Sequence, residues 1–118
     1  MMRRSSEHRI QVGIKEAADL IIPGRLYAVP NGGHRSPITG AMLKAEGVRK
    51  GVPDLQLDIK KRGYHGLRME VKTPKGRLTA EQKEWGEWLR SQGYYWNVVR
   101  SVQEGVDLLI WYMEGDVS

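Results

Sequence analysis

Cysteine is absent from this chain. That excludes disulfides and thiolate metal sites. Histidine is scarce: His8, His34 and His65 stand apart, without the spacing of a metal-binding pair. The metal chemistry left open is an oxygen-ligand site for a hard cation. Long apolar runs are missing too. The longest, Val106 to Met113, contains Asp107 and is too short to span a bilayer. Met1-Met2-Arg3-Arg4 leads into polar residues, so no cleaved signal sequence is read. The default expectation is a cytoplasmic protein with no membrane partner. Repeats, long linkers and low-complexity stretches are not found. A chain of 118 residues is expected to form one domain, 1–118, around a modest core.

What is abundant is basic charge. Lys and Arg number 19 against 14 Asp and Glu, a net charge of +5 and a pI near 9.6. Such a balance favours a polyanionic partner, although it also serves plain solubility. The basic residues Arg35, Lys44, Arg49, Lys50, Lys72, Lys75 and Arg77 concentrate around two short acidic segments. That clustering favours nucleic acid.

Ser5 or Ser6 is positioned to cap a helix running to about Leu20, with Ile10, Ile14, Ala17, Ala18 and Ile21 as its core stripe. Pro23-Gly24 ends it. Leu26–Val29 reads as a short strand, and a short helix is expected around Gly40–Glu46, stopped by Gly47. Asp54–Ile59 and Leu67–Lys72 read as an antiparallel hairpin. Thr79-Ala80-Glu81-Gln82 has capping-box spacing and opens a helix to Ser91 or Gln92. Tyr94–Val99 is a further strand. Ser101 and Glu104 form a second capping box for a last helix through Met113. The order is α-β-(α)-β-β-α-β-α. The helix from Thr79 acts as a crossover, which makes the Leu67 and Tyr94 strands parallel. The fold class is α/β, a mixed β-sheet flanked by helices. The tryptophans are read as core, Trp85 and Trp88 on a helical stripe and Trp96 within a strand, with Trp111 left open to an interface.

Two segments carry the chemistry, Gly51-Val52-Pro53-Asp54 and Met69-Glu70-Val71-Lys72. Residues i and i+2 of a strand share a face. Glu70 and Lys72 therefore project together while Val71 turns to the core, and Asp54 joins them if the strands pair. Two carboxylates can hold a divalent cation, and a lysine beside them can orient or activate water. That is a minimal kit for metal-dependent phosphodiester hydrolysis. Each piece has a plainer reading alone: Asp54 as a turn residue after Pro53, and Glu70 with Lys72 as a solvent-facing ion pair.

Pro53-Asp54 followed by Glu70-x-Lys72 resembles the PD-(D/E)XK nuclease signature. Pro30-Asn31-Gly32-Gly33, Gly40-Ala41, Lys44-Ala45-Glu46-Gly47, and then Thr73-Pro74, Gly76, Leu78-Thr79 and Gln82 extend the likeness in order and spacing. Together they resemble the VRR-NUC domain (virus-type replication-repair nuclease) over roughly residues 7–112. The resemblance implies a restriction-endonuclease-like core and a metal-dependent DNA endonuclease. It implies Asp54 and Glu70 as ligands of Mg²⁺ or Mn²⁺, with the Val71 carbonyl as a further ligand and Lys72 beside the reacting phosphate. It places Gln82 next to the site, compatible with its capping role. It makes Glu7 a candidate additional ligand, where the residue alone reads as an acid in the first helical turn. Asn31, in a loop that is otherwise a plain turn, is implied to approach the phosphate backbone with Arg35, Lys44, Arg49, Lys50, Lys75 and Arg77.

The stand-alone members that this chain resembles look like junction resolvases. The expectation is therefore a homodimer acting on branched DNA, with Trp111, Tyr112 and Met113 available for the interface. A DNA-binding or assembly module that no longer cleaves is the alternative, against which the intact Asp54, Glu70 and Lys72 argue.

Overall fold

The first helix, α1, spans Met2–Ile21 in the computed structural model, which describes residues 2–30 and 37–117. It begins earlier than the serine cap expected from sequence. Met and Arg are stronger helix formers than serine, and nothing in Met2–Arg4 breaks the helix. Glu7 consequently lies in the second turn, and the first turn holds no acid. The chain then enters β1 (Leu26–Ala28), α2 (Pro37–Ala45), β2 (Leu55–Leu57), β3 (Leu67–Val71), α3 (Ala80–Ser91), β4 (Tyr95–Val99) and α4 (Val102–Met113). α2 starts on Pro37, a residue suited to a first helical turn, and buries no side chain. Thr79 caps α3 with both bonds of the expected box. At α4 the Ser101 side chain accepts from the Glu104 amide, but the Glu104 carboxylate accepts from the Arg100 amide instead, one residue before the cap. The second box is therefore half formed.

The four strands lie in sequence order in one sheet. β1–β2 and β2–β3 are antiparallel, while β3–β4 is parallel, as the intervening helix requires. α1 and α4 pack together on one face, over Leu55, Leu57, Leu67, Met69, Val71 and Val99. α3 covers the other face at β4, where Gly86 lies against the Trp96 ring so closely that a Cβ would overlap it.

Every residue of β3 is buried. Leu67, Met69 and Val71 enter the core, while Arg68, Glu70 and Lys72 project towards the α3 side. The reading of Glu70 and Lys72 as a solvent-facing pair is thereby overturned, since Glu70 is 1 % and Lys72 9 % exposed. Two other expectations also change. Tyr112 is fully buried and its hydroxyl donates to the Ile59 carbonyl at 2.6 Å, which removes it from any interface. Trp88 is not core but 52 % exposed. No helix among the described residues is long and apolar enough to cross a membrane.

Candidate active site

Gly51 begins the site. Its φ of +86° is a conformation that favours glycine. A Cβ there would sit 2.6–2.8 Å from the Glu81 carbonyl group and the Gln82 amide nitrogen. The loop before β2 can press against the first turn of α3 only because this residue has no side chain. Pro53 is buried next to it, and Asp54 follows at the entrance to β2. The Leu55–Met69 register carries over to place Asp54 opposite Glu70.

Hydrogen bonds fix both carboxylates. The Val71 amide donates to Asp54 Oδ2 at 2.8 Å. Gln82 Nε2 donates to Glu70 Oε2 at 3.0 Å, while Gln82 Oε1 accepts from the Thr79 amide at 2.9 Å. The two roles read for Gln82 are therefore one arrangement: the capping bond holds the oxygen end of the amide, which aims its nitrogen at Glu70. Glu70 Oε1 is buried and has no hydrogen-bond partner.

Burial, and then the Asp54 carboxylate facing it, push Glu70 up to about 10, with the Lys72 charge opposing and the Glu7 charge adding. A cleft of about 370 Å³ opens over this pair, lined by Glu7, Lys50, Gly51, Asp54, Glu70, Thr79, Glu81 and Gln82.

Lys72 is not among those lining residues. Its amide donates to the Val99 carbonyl at 3.0 Å, which continues the β3–β4 ladder. A Cβ on Gly76 would lie 3.5 Å from Lys72 Cδ, so the Thr73–Gly76 turn folds back over the lysine stem. Arg100 fastens that turn, its Nη1 donating to the carbonyls of Gly76 at 2.6 Å and Thr73 at 2.8 Å.

The donor set suits a hard divalent cation: carboxylate oxygens alone, two of them on facing residues, and one buried oxygen unpartnered. A cation there would offset both the burial and the Asp54 charge that raise Glu70. The set is open. Among the described residues no three acidic or histidine side chains form a metal-holding group.

Of the residues singled out in the sequence, Glu7, Lys50, Asp54, Glu70 and Gln82 meet at the cleft. Lys44, Arg49, Lys75 and Arg77 are exposed elsewhere, Lys44 on α2. Asn31 and Arg35 lie outside the described residues. Sequence reasoning missed Glu81 as part of the cleft wall, although it adjoins Gln82 in the cap. It also missed Arg100, for which no local pattern exists.

A family model described as the VRR-NUC domain matches residues 8–103. A solved structure titled "VRR_NUC domain protein" superposes with a TM-score of 0.80 at 28 % identity, over 94 % of this chain and 91 % of the other. A second, titled "VRR_NUC domain", gives a TM-score of 0.60 at 27 % identity, over 91 % of this chain and 96 % of the other. No curated protein matches the chain.

Proposed function

We infer that this chain, which belongs to the VRR-NUC domain family, is a Mg²⁺- or Mn²⁺-dependent DNA endonuclease. The observation that carries the reading is the facing pair of Asp54 and Glu70, with Glu70 Oε1 buried and unpartnered. Asp54 and Glu70 would hold the ion, with the Val71 carbonyl and Glu7 as further oxygen donors. When bound, the ion polarises the scissile phosphate and provides a nucleophile at neutral pH. Gln82 keeps the Glu70 carboxylate in one orientation. Lys72, held beneath the Thr73–Gly76 turn, offsets the negative charge that accumulates at the cleft. Lys50 approaches a phosphate at the cleft wall. Asn31, Arg35, Lys44, Arg49, Lys75 and Arg77 supply contacts to the DNA backbone that do not depend on sequence.

The substrate is branched DNA, and the active species is a homodimer. A single site makes one cut at a time, whereas symmetric resolution of a four-way junction needs two, which a twofold pair supplies. Trp111 and Met113 remain available to such an interface. The competing reading is a DNA-binding module without turnover, favoured by the open donor set. Purified protein should be assayed on duplex, flap and four-way junction DNA, with EDTA, Mg²⁺ or Mn²⁺. Metal-dependent cutting that Asp54→Asn abolishes is the expected result. Binding without cutting under every metal condition would select the module, and cutting in excess EDTA by metal-stripped protein would remove the metal mechanism.

A further inference from the structure

Trp88 is the largest aromatic surface that the fold leaves in solvent, 52 % exposed. It is not loose. Its ring meets that of Trp85 edge to face, with centroids 5.6 Å apart and planes at 89°. A ring held in this way loses little conformational freedom when a flat ligand stacks on it.

Its place on α3 gives that surface a direction. Gln82, Gly86 and Leu89 mark the side of α3 turned to the sheet, by the Glu70 bond of the first and the burial of the other two. The helical period sets Glu81, Trp85 and Trp88 together on one flank of that side. Glu81 shares the cleft wall with Lys50, Gly51 and Asp54. That flank is therefore the one turned towards β2, and Trp85 and Trp88 continue it, one and two turns beyond the cleft. The opposite flank carries Arg90, which lies over Trp96 of the edge strand β4.

The sheet surface on the β2 side is polar, exposed at Tyr27, half-buried at Gln56 and buried at Arg68. Tyr27, Gln56 and Arg68 are cross-strand neighbours on the face that holds Glu70. Tyr27 is 44 % exposed, and its hydroxyl donates to Asp58 Oδ2 at 2.8 Å and lies 3.1 Å from Gln56 Oε1. The cation beneath this surface, Arg68, is buried and already paired with Asp58 at 3.0 Å. A phosphate gains little there. A flat neutral group with hydrogen-bonding edges fits better, and a nucleobase has that chemistry.

Resting on the nuclease reading, we propose that Trp88, braced by Trp85, is the stacking platform for an unpaired nucleobase of the DNA strand that enters the carboxylate cleft. A paired base has both faces covered by its neighbours, so the platform favours strands with unpaired bases. It thus gives the cleft a selectivity for substrate structure that the carboxylates lack.

The test measures equilibrium binding of the full chain in EDTA, where no cutting occurs, to single-stranded, flap and fully paired DNA. Trp88→Leu keeps apolar bulk but has no π face, and Trp88→Phe restores one. Trp88→Leu is expected to weaken single-strand and flap binding by roughly 5- to 100-fold, the range for losing one base–aromatic stack. Duplex affinity should change less than about 2-fold, and Trp88→Phe should recover most of the loss. Equal affinity of wild type and Trp88→Leu for single strands would overturn the platform, as would an equal loss on every DNA. In either case metal-dependent cutting by the wild type would leave the nuclease reading intact. Wild-type protein that binds none of these DNAs would overturn the platform and point to a protein partner for the tryptophan surface; failure to cut any of them with Mg²⁺ or Mn²⁺ as well would overturn the nuclease reading.

Discussion

Glu70 sets fold against chemistry. Its carboxylate is 1 % exposed, faces Asp54, and leaves one oxygen without a donor. Such a group is costly to the fold when charged. In the metal-free protein it keeps its proton up to about 10, whereas its ordinary value, near that of the unfolded chain, is 4.5. The folded value is the higher one. The stability from this group is therefore fully present below about 4.5 and is lost as pH rises to about 10, with a slope of at most about 1.4 kcal/mol per pH unit. Denaturant midpoints in EDTA should fall between about pH 6 and about pH 9. Glu70→Gln should flatten that decline, gain about 1–3 kcal/mol at neutral pH, and abolish cleavage. A variant that declines as steeply as the wild type would assign the effect to another group. Lys72 needs a gentler substitution than alanine, because it is packed under Gly76. Lys72→Met should keep the melting temperature within a few degrees while lowering the cleavage rate by at least about 100-fold. Wild-type turnover by Lys72→Met at saturating metal would remove lysine from the chemistry.

At the scale of elements, the first turn of α3 is the part that holds the site in register. Gly51→Ala would add a Cβ within 2.6 Å of the Glu81 carbonyl carbon at a φ of +86°. A destabilisation of about 1–3 kcal/mol is expected by thermal melting, with a larger fractional loss of cleavage, since the displaced turn carries Gln82 away from Glu70. Gln82→Ala should cost about 1 kcal/mol and reduce cleavage, whereas Gln82→Glu keeps the cap but should still cut poorly. Much of this was legible in the sequence. The Thr79–Gln82 box, the helix–strand crossover and the shared side of Glu70 and Lys72 all follow from local spacing. The depth at which those side chains lie did not follow. An alternating strand reads as half buried, and only tertiary packing shows that α3 covers the second face. For the same reason Trp85 and Trp88 looked alike, since a helical stripe shows which residues share a side but not how far a neighbouring sheet extends beneath them. Arg100 was invisible, because its partners are the carbonyls of a turn 24 and 27 residues earlier.

For the whole molecule, charge and symmetry make the testable statements. With a net charge of +5, DNA affinity should fall steeply with salt, by about 0.9 of a logarithmic unit for each phosphate contact on duplex per tenfold rise in salt. Lys75→Ala and Arg77→Ala should each weaken binding to all sequences alike and lower that slope by roughly one. A strong sequence preference that disappears with these changes would indicate base reading instead. Light scattering at micromolar concentration should return the mass of a pair, and a four-way junction should lose two strands symmetrically. A strict monomer that nicks one arm would end the junction assignment and spare the nuclease.

The bond from the Val71 amide to Asp54 Oδ2, 2.8 Å long, joins a backbone proton of the central strand to one of the two carboxylates. Val71 thereby becomes a built-in reporter. Its amide resonance depends on how strongly Asp54 accepts, and that strength changes when the carboxylate shares its electrons with a cation. An isotope-labelled sample titrated with Mg²⁺ should show the Val71 cross-peak moving in proportion to occupancy. Calcium, if it binds without supporting turnover, should move it as well. Loading of the site can then be followed without DNA, without cleavage and without mutation, through the amide of a single valine whose own carbonyl is placed among the donors to the ion.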